Sequence, residues 1–199
     1  MNDEWISLDV SAPIWNRFFT VASLVIVGTK EDKGYDMAPK HLAIPMGFDN
    51  YFGFVCTPRH KTYGNVQKAQ EFSISYPMPN QLVTTSLAAS PRKSEHSKSE
   101  YTVKALATVK ATKIDALLIS DSYVHLECRL FKVIDGFGEN SLITGEILSA
   151  RVNTLYLRVS EQDEQKQLQQ HPLLAYIADG RFAVIKDTFA FPFPKGFTR

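Results

Sequence analysis

Two long alternating segments in the second half of the chain limit its fold most strongly. Apolar and polar residues alternate along residues 122–133 and again along residues 141–152, with the period of two that is typical of β-strands. The connection between them, residues 135–140, contains Gly136 and Gly138. Two strands joined by a short loop with glycine predict a β-hairpin. The chain is therefore expected to build an antiparallel sheet around this hairpin.

The rest of the chain adds short strands and short helices. Further strands are predicted at residues 23–29, 35–43, 51–57 and 71–76, and helices at residues 12–20, 61–70, 81–90 and 161–171. The polar segment 91–101 is predicted to be an exposed loop. Because regular crossover helices do not separate the strands, a doubly wound parallel sheet is disfavoured. The predicted fold class is mainly β with short helices, arranged as an antiparallel barrel.

Length and charge favour one ordinary globular domain. The 199 residues are 44% hydrophobic with a net charge of +1, which suits a single domain over residues 1–199 with a helical, then aromatic and proline-rich, C-terminal extension from about residue 160. The balanced charge provides no general attraction to nucleic acid or membrane, and neither is an expected partner. The acidic N-terminus does not resemble a signal peptide. With Cys56 and Cys128 expected to be buried and reduced, the predicted location is the cytoplasm.

Familiar catalytic motifs are missing from the sequence. It contains no G-x-G-x-x-G dinucleotide fingerprint, no G-x-x-x-x-G-K-[ST] loop and no G-x-S-x-G nucleophile elbow, so the folds and reactions tied to them are not indicated. The five histidines are scattered, without an i, i+4 pair that would hold a metal on a helix. No metal site is predicted.

One segment, residues 57–65, has the composition of an anion site. It follows a predicted strand, opens a predicted helix with Thr62 as candidate N-cap, and carries the cations Arg59 and Lys61. A helix start offers free backbone N–H groups and a partial positive charge, and an arginine fork can grip phosphate oxygens. Chemistry alone leaves two interpretations equally open: a phosphate site, or a solvated and capped helix start.

The order of several short motifs resembles the flavin reductase-like family. The motifs are YDMAP at 35–39, TPRHKTYGN at 57–65, EFSIS at 71–75, HLECRL at 125–130 and GENSLITGEI at 138–147. Each motif is degenerate, and their order and spacing carry the resemblance, which runs from about residue 23 to about residue 152. It implies a split β-barrel that binds FMN in a groove, commonly at a homodimer interface.

The resemblance also implies which residues bind FMN. They are Asp36, Met37, Ala38, Pro39 and Lys40 beside the isoalloxazine, Thr57, Arg59, Lys61, Thr62 and Asn65 around the phosphate and ribityl chain, and Ser86 and Arg92 on the phosphate side. Asp36 stands where the family usually has asparagine, and a carboxylate offers only acceptors. For Ser86 the alternative is a helix-surface hydroxyl, and for Arg92 a solvated loop charge.

A second departure concerns the turn Gly138-Glu139-Asn140, where many flavin reductases have G-D-H with a histidine associated with nicotinamide binding. Asn140 can form hydrogen bonds but cannot become cationic. The leading hypothesis is an FMN-dependent oxidoreductase that takes hydride from NAD(P)H and passes electrons to oxygen, a second flavin or an acceptor protein. The alternative is an FMN-binding carrier without its own NAD(P)H activity.

Aromatic residues near both ends of the chain point to an interface. Trp15, Phe18 and Phe19 lie near the start, and four phenylalanines lie in the irregular tail 189–197. Stable interfaces favour aromatic anchors, so a homodimer is predicted. Two alternatives stay open: the tail packs over its own barrel, or the protein is a non-flavin barrel whose tail is an interaction element.

Overall fold

The computed structural model describes residues 4–91, 98–158, 163–178 and 180–197. The strands are β1 (Val21–Ser23), β2 (Val25–Lys30), β3 (Tyr35–Lys40), β4 (Ala43–Pro45), β5 (Tyr51–Cys56), β6 (Glu71–Tyr76), β7 (Thr108–Lys110), β8 (Leu117–Ile119), β9 (Val124–Phe137), β10 (Asn140–Val152), β11 (Leu173–Ile177) and β12 (Arg181–Ile185). The α-helices are α1 (Lys61–Ala69), α2 (Leu82–Ala88), α3 (Lys98–Tyr101) and α4 (Glu164–Gln170). Single 3₁₀ turns lie at Pro79–Gln81, Val103–Ala105 and Thr154–Tyr156.

A seven-stranded antiparallel sheet dominates the fold, in the order β3-β2-β6-β9-β10-β5-β4. The hairpin β9–β10 lies in the middle and pairs from Phe137↔Asn140 to Val124↔Val152, with three register shifts on the way. Such irregularities bend and twist a strand pair, and the sheet curls into a half-barrel. The predicted hairpin and the mainly β fold class are confirmed.

The concave face of the curl is filled by large apolar side chains. Phe54 and Phe72 meet edge to face with ring centroids 5.3 Å apart, and both are fully buried. Gly145 on β10 makes room for the Phe72 ring, because a Cβ there would lie 2.5 Å from its Cζ atom. On the other face of β2 and β3 a second cluster forms around Ile26 and Met37, under α2 and β8.

Gly28 on β2 is required by a close approach of β8. A Cβ at position 28 would collide with the Leu117 carbonyl oxygen and the Ser73 hydroxyl, and the backbone oxygen cannot move aside without displacing β8. We expect Gly28→Ala to lower the free energy of unfolding by about 1–3 kcal/mol, the usual cost of overpacking. Gly64→Ala is the control, because nothing lies within 4 Å of a Cβ there and alanine favours a helix by about 0.5–1 kcal/mol. Urea unfolding of both variants checks this, and equal midpoints would contradict it.

Two smaller sheets complete the structure. β1 pairs with β11, which pairs with β12, and β7 pairs with β8. Sequence analysis missed the hairpin β11–β12 and predicted only α4 and an irregular tail in this region; α4 is confirmed, and the described residues 186–197 form no regular element. No helix among the described residues is long and apolar enough to cross a membrane.

Two local predictions were wrong. Residues 12–20 form turns and bends instead of a helix, because Trp15 and Phe19 are exposed and leave no buried apolar face to support so short a helix. The described end of the predicted exposed loop, residues 98–101, is helix α3 with a buried Lys98. Cys56 and Cys128 are buried and free, as predicted.

Candidate functional site

Helix α1 begins immediately after the end of β5, and its start is open. The chain turns after β5 through a hydrogen bond from the His60 amide to the Thr57 carbonyl, 3.0 Å long. His60 is the N-cap residue, and its side chain forms no capping hydrogen bond. The Tyr63 amide donates to the His60 carbonyl at 3.1 Å. The Lys61 and Thr62 amides precede any intrahelical acceptor, so they are available to an anion. The prediction that Thr62 caps this helix was wrong, since Thr62 lies within the first turn and is buried.

The Thr57 hydroxyl is a buried group without a partner. Its oxygen is inaccessible to solvent and forms no hydrogen bond with any part of the chain that the structure describes. Leaving such a group unsatisfied costs about 1–3 kcal/mol, and a ligand acceptor placed beside it would remove that cost. The exposed cations Arg59 and Lys61 follow within four residues. Hydroxyl, open helix start and cations together fit a phosphate group.

Asp36 lies beneath this helix start in a buried ion pair. Its carboxylate accepts a hydrogen bond from the Thr62 hydroxyl, 3.3 Å away, and faces the Lys98 ammonium at 3.8 Å. Lys98 also donates to the carbonyl oxygens of Met37, at 2.8 Å, and Ala88, at 2.5 Å. The two charged side chains are only 5% and 8% exposed. The pair therefore connects β3 to α1, α2 and α3, and Lys98 supplies the charge that a buried carboxylate requires.

A second polar contact fixes α1 to the sheet. The Asn65 side-chain amide donates to the Thr29 hydroxyl at 3.0 Å, and Thr29 is fully buried on β2. Thr62 and Asn65, both predicted around the ribityl chain and phosphate, thus face the β2–β3 hairpin. They set the direction in which the start of α1 points.

The side of the site next to β5 is lined by Lys40, Cys56 and His60. The Lys40 ammonium lies 3.5 Å from the Cys56 sulfur. Burial raises the pKa of the Cys56 thiol, although Lys40 opposes this. Burial and the neighbouring Lys40 and Arg59 charges lower the pKa of His60. This shift disfavours a positive charge on His60, so the positive charge near the helix start comes from the lysines and Arg59.

Four other predicted residues lie elsewhere on β3 and on α2. Met37 is fully buried in the cluster on the opposite face of β3, while Ala38 and Pro39 are half-buried on the same strand. Ser86 is exposed on α2, which packs against β3. Arg92 lies outside the described residues. The structure thus gathers seven of the predicted residues around α1 and β3: Asp36, Lys40, Thr57, Arg59, Lys61, Thr62 and Asn65.

The turn of the long hairpin lies beside the start of α1. Glu139 in the turn forms an ion pair with Arg59. Below it, Asp135 accepts hydrogen bonds from the Tyr63 hydroxyl at 3.1 Å and from the Ser141 hydroxyl at 2.6 Å. The two segments to which phosphate and nicotinamide roles were ascribed are therefore neighbours in space.

Comparison with known proteins identifies the family. The sequence model of the flavin reductase like domain matches residues 18–176, which include all the candidate-site residues described above. The chain belongs to the flavin reductase-like domain family. No curated protein sequence matches it significantly.

Solved structures of flavin-related proteins share the fold. Flavoredoxin from Methanosarcina acetivorans superposes with a TM-score of 0.74 at 17% identity, covering 97% of each chain. An FMN-binding protein from Thermus thermophilus gives 0.73 at 19% identity, covering 94% of this chain and 99% of that one. A split-barrel protein from Shewanella frigidimarina gives 0.74 at 15% identity, covering 87% of each. The predicted split barrel is confirmed for this flavin reductase-like domain.

Two residues of the site were missed by sequence reasoning. Lys98 lies in a polar stretch that gives no sign of burial, and Glu139 was considered only as part of a turn. A usable signal for Lys98 was Asp36, because a carboxylate on a buried strand calls for a positive partner. For Glu139 no local signal exists, since its partner Arg59 is 80 positions away.

Proposed function

We propose that this flavin reductase-like domain binds FMN with its phosphate at the start of α1 and transfers hydride from NAD(P)H to the flavin. The observation that carries the proposal is the buried Thr57 hydroxyl without a partner, beside an uncapped helix start. Arg59 and Lys61 supply the charge that a phosphate monoester requires. The FMN-binding protein of Thermus thermophilus supports FMN as the flavin. We further propose that the chain acts as a single domain in the cytoplasm.

The chain's own residues bind and orient. The Thr57 hydroxyl and the Lys61 and Thr62 amides would donate hydrogen bonds to phosphate oxygens, and Arg59 and Lys61 would neutralise their charge. The Asp36–Lys98 pair holds β3 against α1, α2 and α3. When bound, FMN supplies the hydride and electron chemistry. NAD(P)H is the proposed electron donor, and oxygen, a second flavin or an acceptor protein the proposed recipient.

The second candidate is an FMN-binding electron carrier. It is favoured by Asn140, which occupies the turn position where the resemblance leads one to expect a histidine, and by the likeness to flavoredoxin. A carrier requires the same phosphate site but no nicotinamide site. The rate of flavin reduction by NADH and NADPH separates the two candidates.

We expect slow reduction of bound FMN by NADH or NADPH, and we expect Asn140→His to accelerate it about tenfold. An orienting or proton-donating group contributes to rate through geometry and charge, whereas FMN affinity depends on α1 and stays unchanged. Stopped-flow absorbance after mixing with each nucleotide measures the rate of flavin reduction in the wild type and in the variant. A fast wild type that Asn140→His slows would contradict the role of this turn. Absence of reduction in both proteins would favour the carrier.

We also propose a homodimer, because large aromatic side chains at both ends of the chain are uncovered in the single protomer. Trp15 and Phe19 near the start are 68% and 76% exposed, and Phe189 and Phe191 in the tail are 96% and 70% exposed. Aromatic anchors of this kind are concentrated in stable interfaces. Light scattering at micromolar concentration should give twice the chain mass of 22.4 kDa. A monomer mass would contradict the proposal.

A further inference from the structure

The side chain best suited to grip a phosphate already has an anionic partner. The Arg59 guanidinium pairs with the Glu139 carboxylate, and both side chains remain more than 70% exposed. Carboxylate and phosphate oxygens both match the hydrogen-bonding fork of a guanidinium. A phosphate that arrives at the start of α1 therefore meets an arginine held by a competing anion.

Glu139 is kept in this position by the backbone of the turn. Phe137 pairs with Asn140, so only Gly138 and Glu139 form the loop. Gly138 adopts a left-handed φ of 63°, a conformation that fits a tight hairpin turn. The base of the hairpin is fastened to α1 through the hydrogen bond from the Tyr63 hydroxyl to Asp135, 3.1 Å long. The backbone of Glu139 therefore stays beside α1, so its carboxylate remains within reach of the start of the helix.

We propose that Glu139 is a specificity-determining residue that competes with the FMN phosphate for Arg59. The inference rests on the phosphate site proposed above. Binding FMN exchanges the Arg59–Glu139 pair for an Arg59–phosphate pair and brings the phosphate close to a carboxylate. Riboflavin has no phosphate and leaves the pair intact. Glu139 thus reduces the preference for FMN over riboflavin, and by doing so it keeps FMN exchangeable.

The size of the effect follows from the exposure of the pair. Exposed ion pairs contribute at most about 1 kcal/mol, a factor of roughly five in a binding constant. Removing the charge should therefore tighten FMN binding by about threefold to fivefold at low salt. The gain should shrink as ionic strength rises, because salt screens charges at this exposure. If Glu139 instead oriented Arg59 for the phosphate, the same change would weaken FMN binding.

The test uses the full chain freed of flavin and carrying Glu139→Gln, with FMN and riboflavin titrated separately by flavin fluorescence. The matched control is Glu146→Gln, because Glu146 forms a comparable exposed pair with Arg129 on the same hairpin, 2.6 Å apart. We expect Glu139→Gln to bind FMN threefold to fivefold more tightly, with riboflavin unchanged, and the control to match the wild type for both ligands. Unchanged or weaker FMN binding, or an equal change for riboflavin, would overturn the inference.

A third variant, Arg59→Ala, separates the failure of this inference from the failure of the phosphate site. If Arg59→Ala weakens FMN and riboflavin equally, Arg59 does not bind the phosphate and both proposals fall. If it weakens FMN alone while Glu139→Gln has no effect on FMN, the phosphate site stands and the competition by Glu139 is rejected.

Discussion

Replacing Lys98 with methionine is expected to lower the free energy of unfolding by about 3–5 kcal/mol, the range found when one partner of a buried ion pair is removed. The Asp36 carboxylate would keep its hydrogen bond from the Thr62 hydroxyl but lose the Lys98 ammonium that faces it at 3.8 Å. The Met37 and Ala88 carbonyl groups would lose a donor as well. Urea unfolding followed by circular dichroism measures the difference.

Two further variants make this test specific to the ion pair. Lys104→Met, at an exposed position in the turn after α3, should change stability by no more than about 0.5 kcal/mol. Adding Asp36→Asn to Lys98→Met should recover part of the loss, because the carboxylate is no longer charged and buried without its partner. A Lys98→Met protein as stable as Lys104→Met would show that the pair does not hold β3 to the helices.

The second large effect concerns ligand binding. Replacing Arg59 or Lys61 with alanine should weaken FMN binding by about 1.5–3 kcal/mol, the value of a hydrogen bond to a charged group, and should leave riboflavin binding unchanged. Lys68→Ala is the matched control: Lys68 is an exposed cation on the same helix, paired with Asp32 at the opposite end. Calorimetric titration of each variant with both flavins provides the comparison.

Thr57→Val extends this prediction to the hydroxyl without a partner. Valine keeps the shape of threonine but cannot donate to a phosphate, so FMN binding should weaken while riboflavin binding does not. The flavin-free protein should lose no stability, because the hydroxyl forms no hydrogen bond with the described residues. Equal losses of affinity for FMN and riboflavin in these variants would show that the FMN phosphate does not bind at the start of α1.

The elements that could be predicted from the sequence are those with a clear local pattern of apolar and polar residues. Strands β9 and β10 alternate over more than ten residues each, and the glycines between them mark the turn. The hairpin β11–β12 was missed although its two strands pair locally and the dipeptide Asp179-Gly180 between them is a hairpin signal. The pairing of β11 with β1, about 150 positions earlier in the chain, leaves no local pattern. The aromatic segment 12–20 misled the prediction because its aromatic side chains are exposed in the protomer, so no packing supports a helix there.

The candidate site divides in the same way. A strand, Thr57, two cations and a helix follow one another directly in the sequence. This order predicted an anion site at a helix start. The role of Thr62 was not predictable locally: its hydroxyl bonds to Asp36 across 26 positions instead of capping its own helix. Lys98 is buried only because the chain returns to β3 after α2. Charge compensation of this kind depends on tertiary structure, which single-sequence patterns do not encode.

The most direct test of the account is a pair of equilibrium titrations of the flavin-free full chain, one with FMN and one with riboflavin, followed by the absorbance spectrum of the flavin. The account predicts one FMN per chain, a perturbed flavin spectrum and a dissociation constant for FMN at least about tenfold below that for riboflavin, as one charge-assisted hydrogen bond to the phosphate requires. Equal dissociation constants for the two flavins would contradict it. So would an absorbance spectrum of either flavin that stays unchanged when the protein is added.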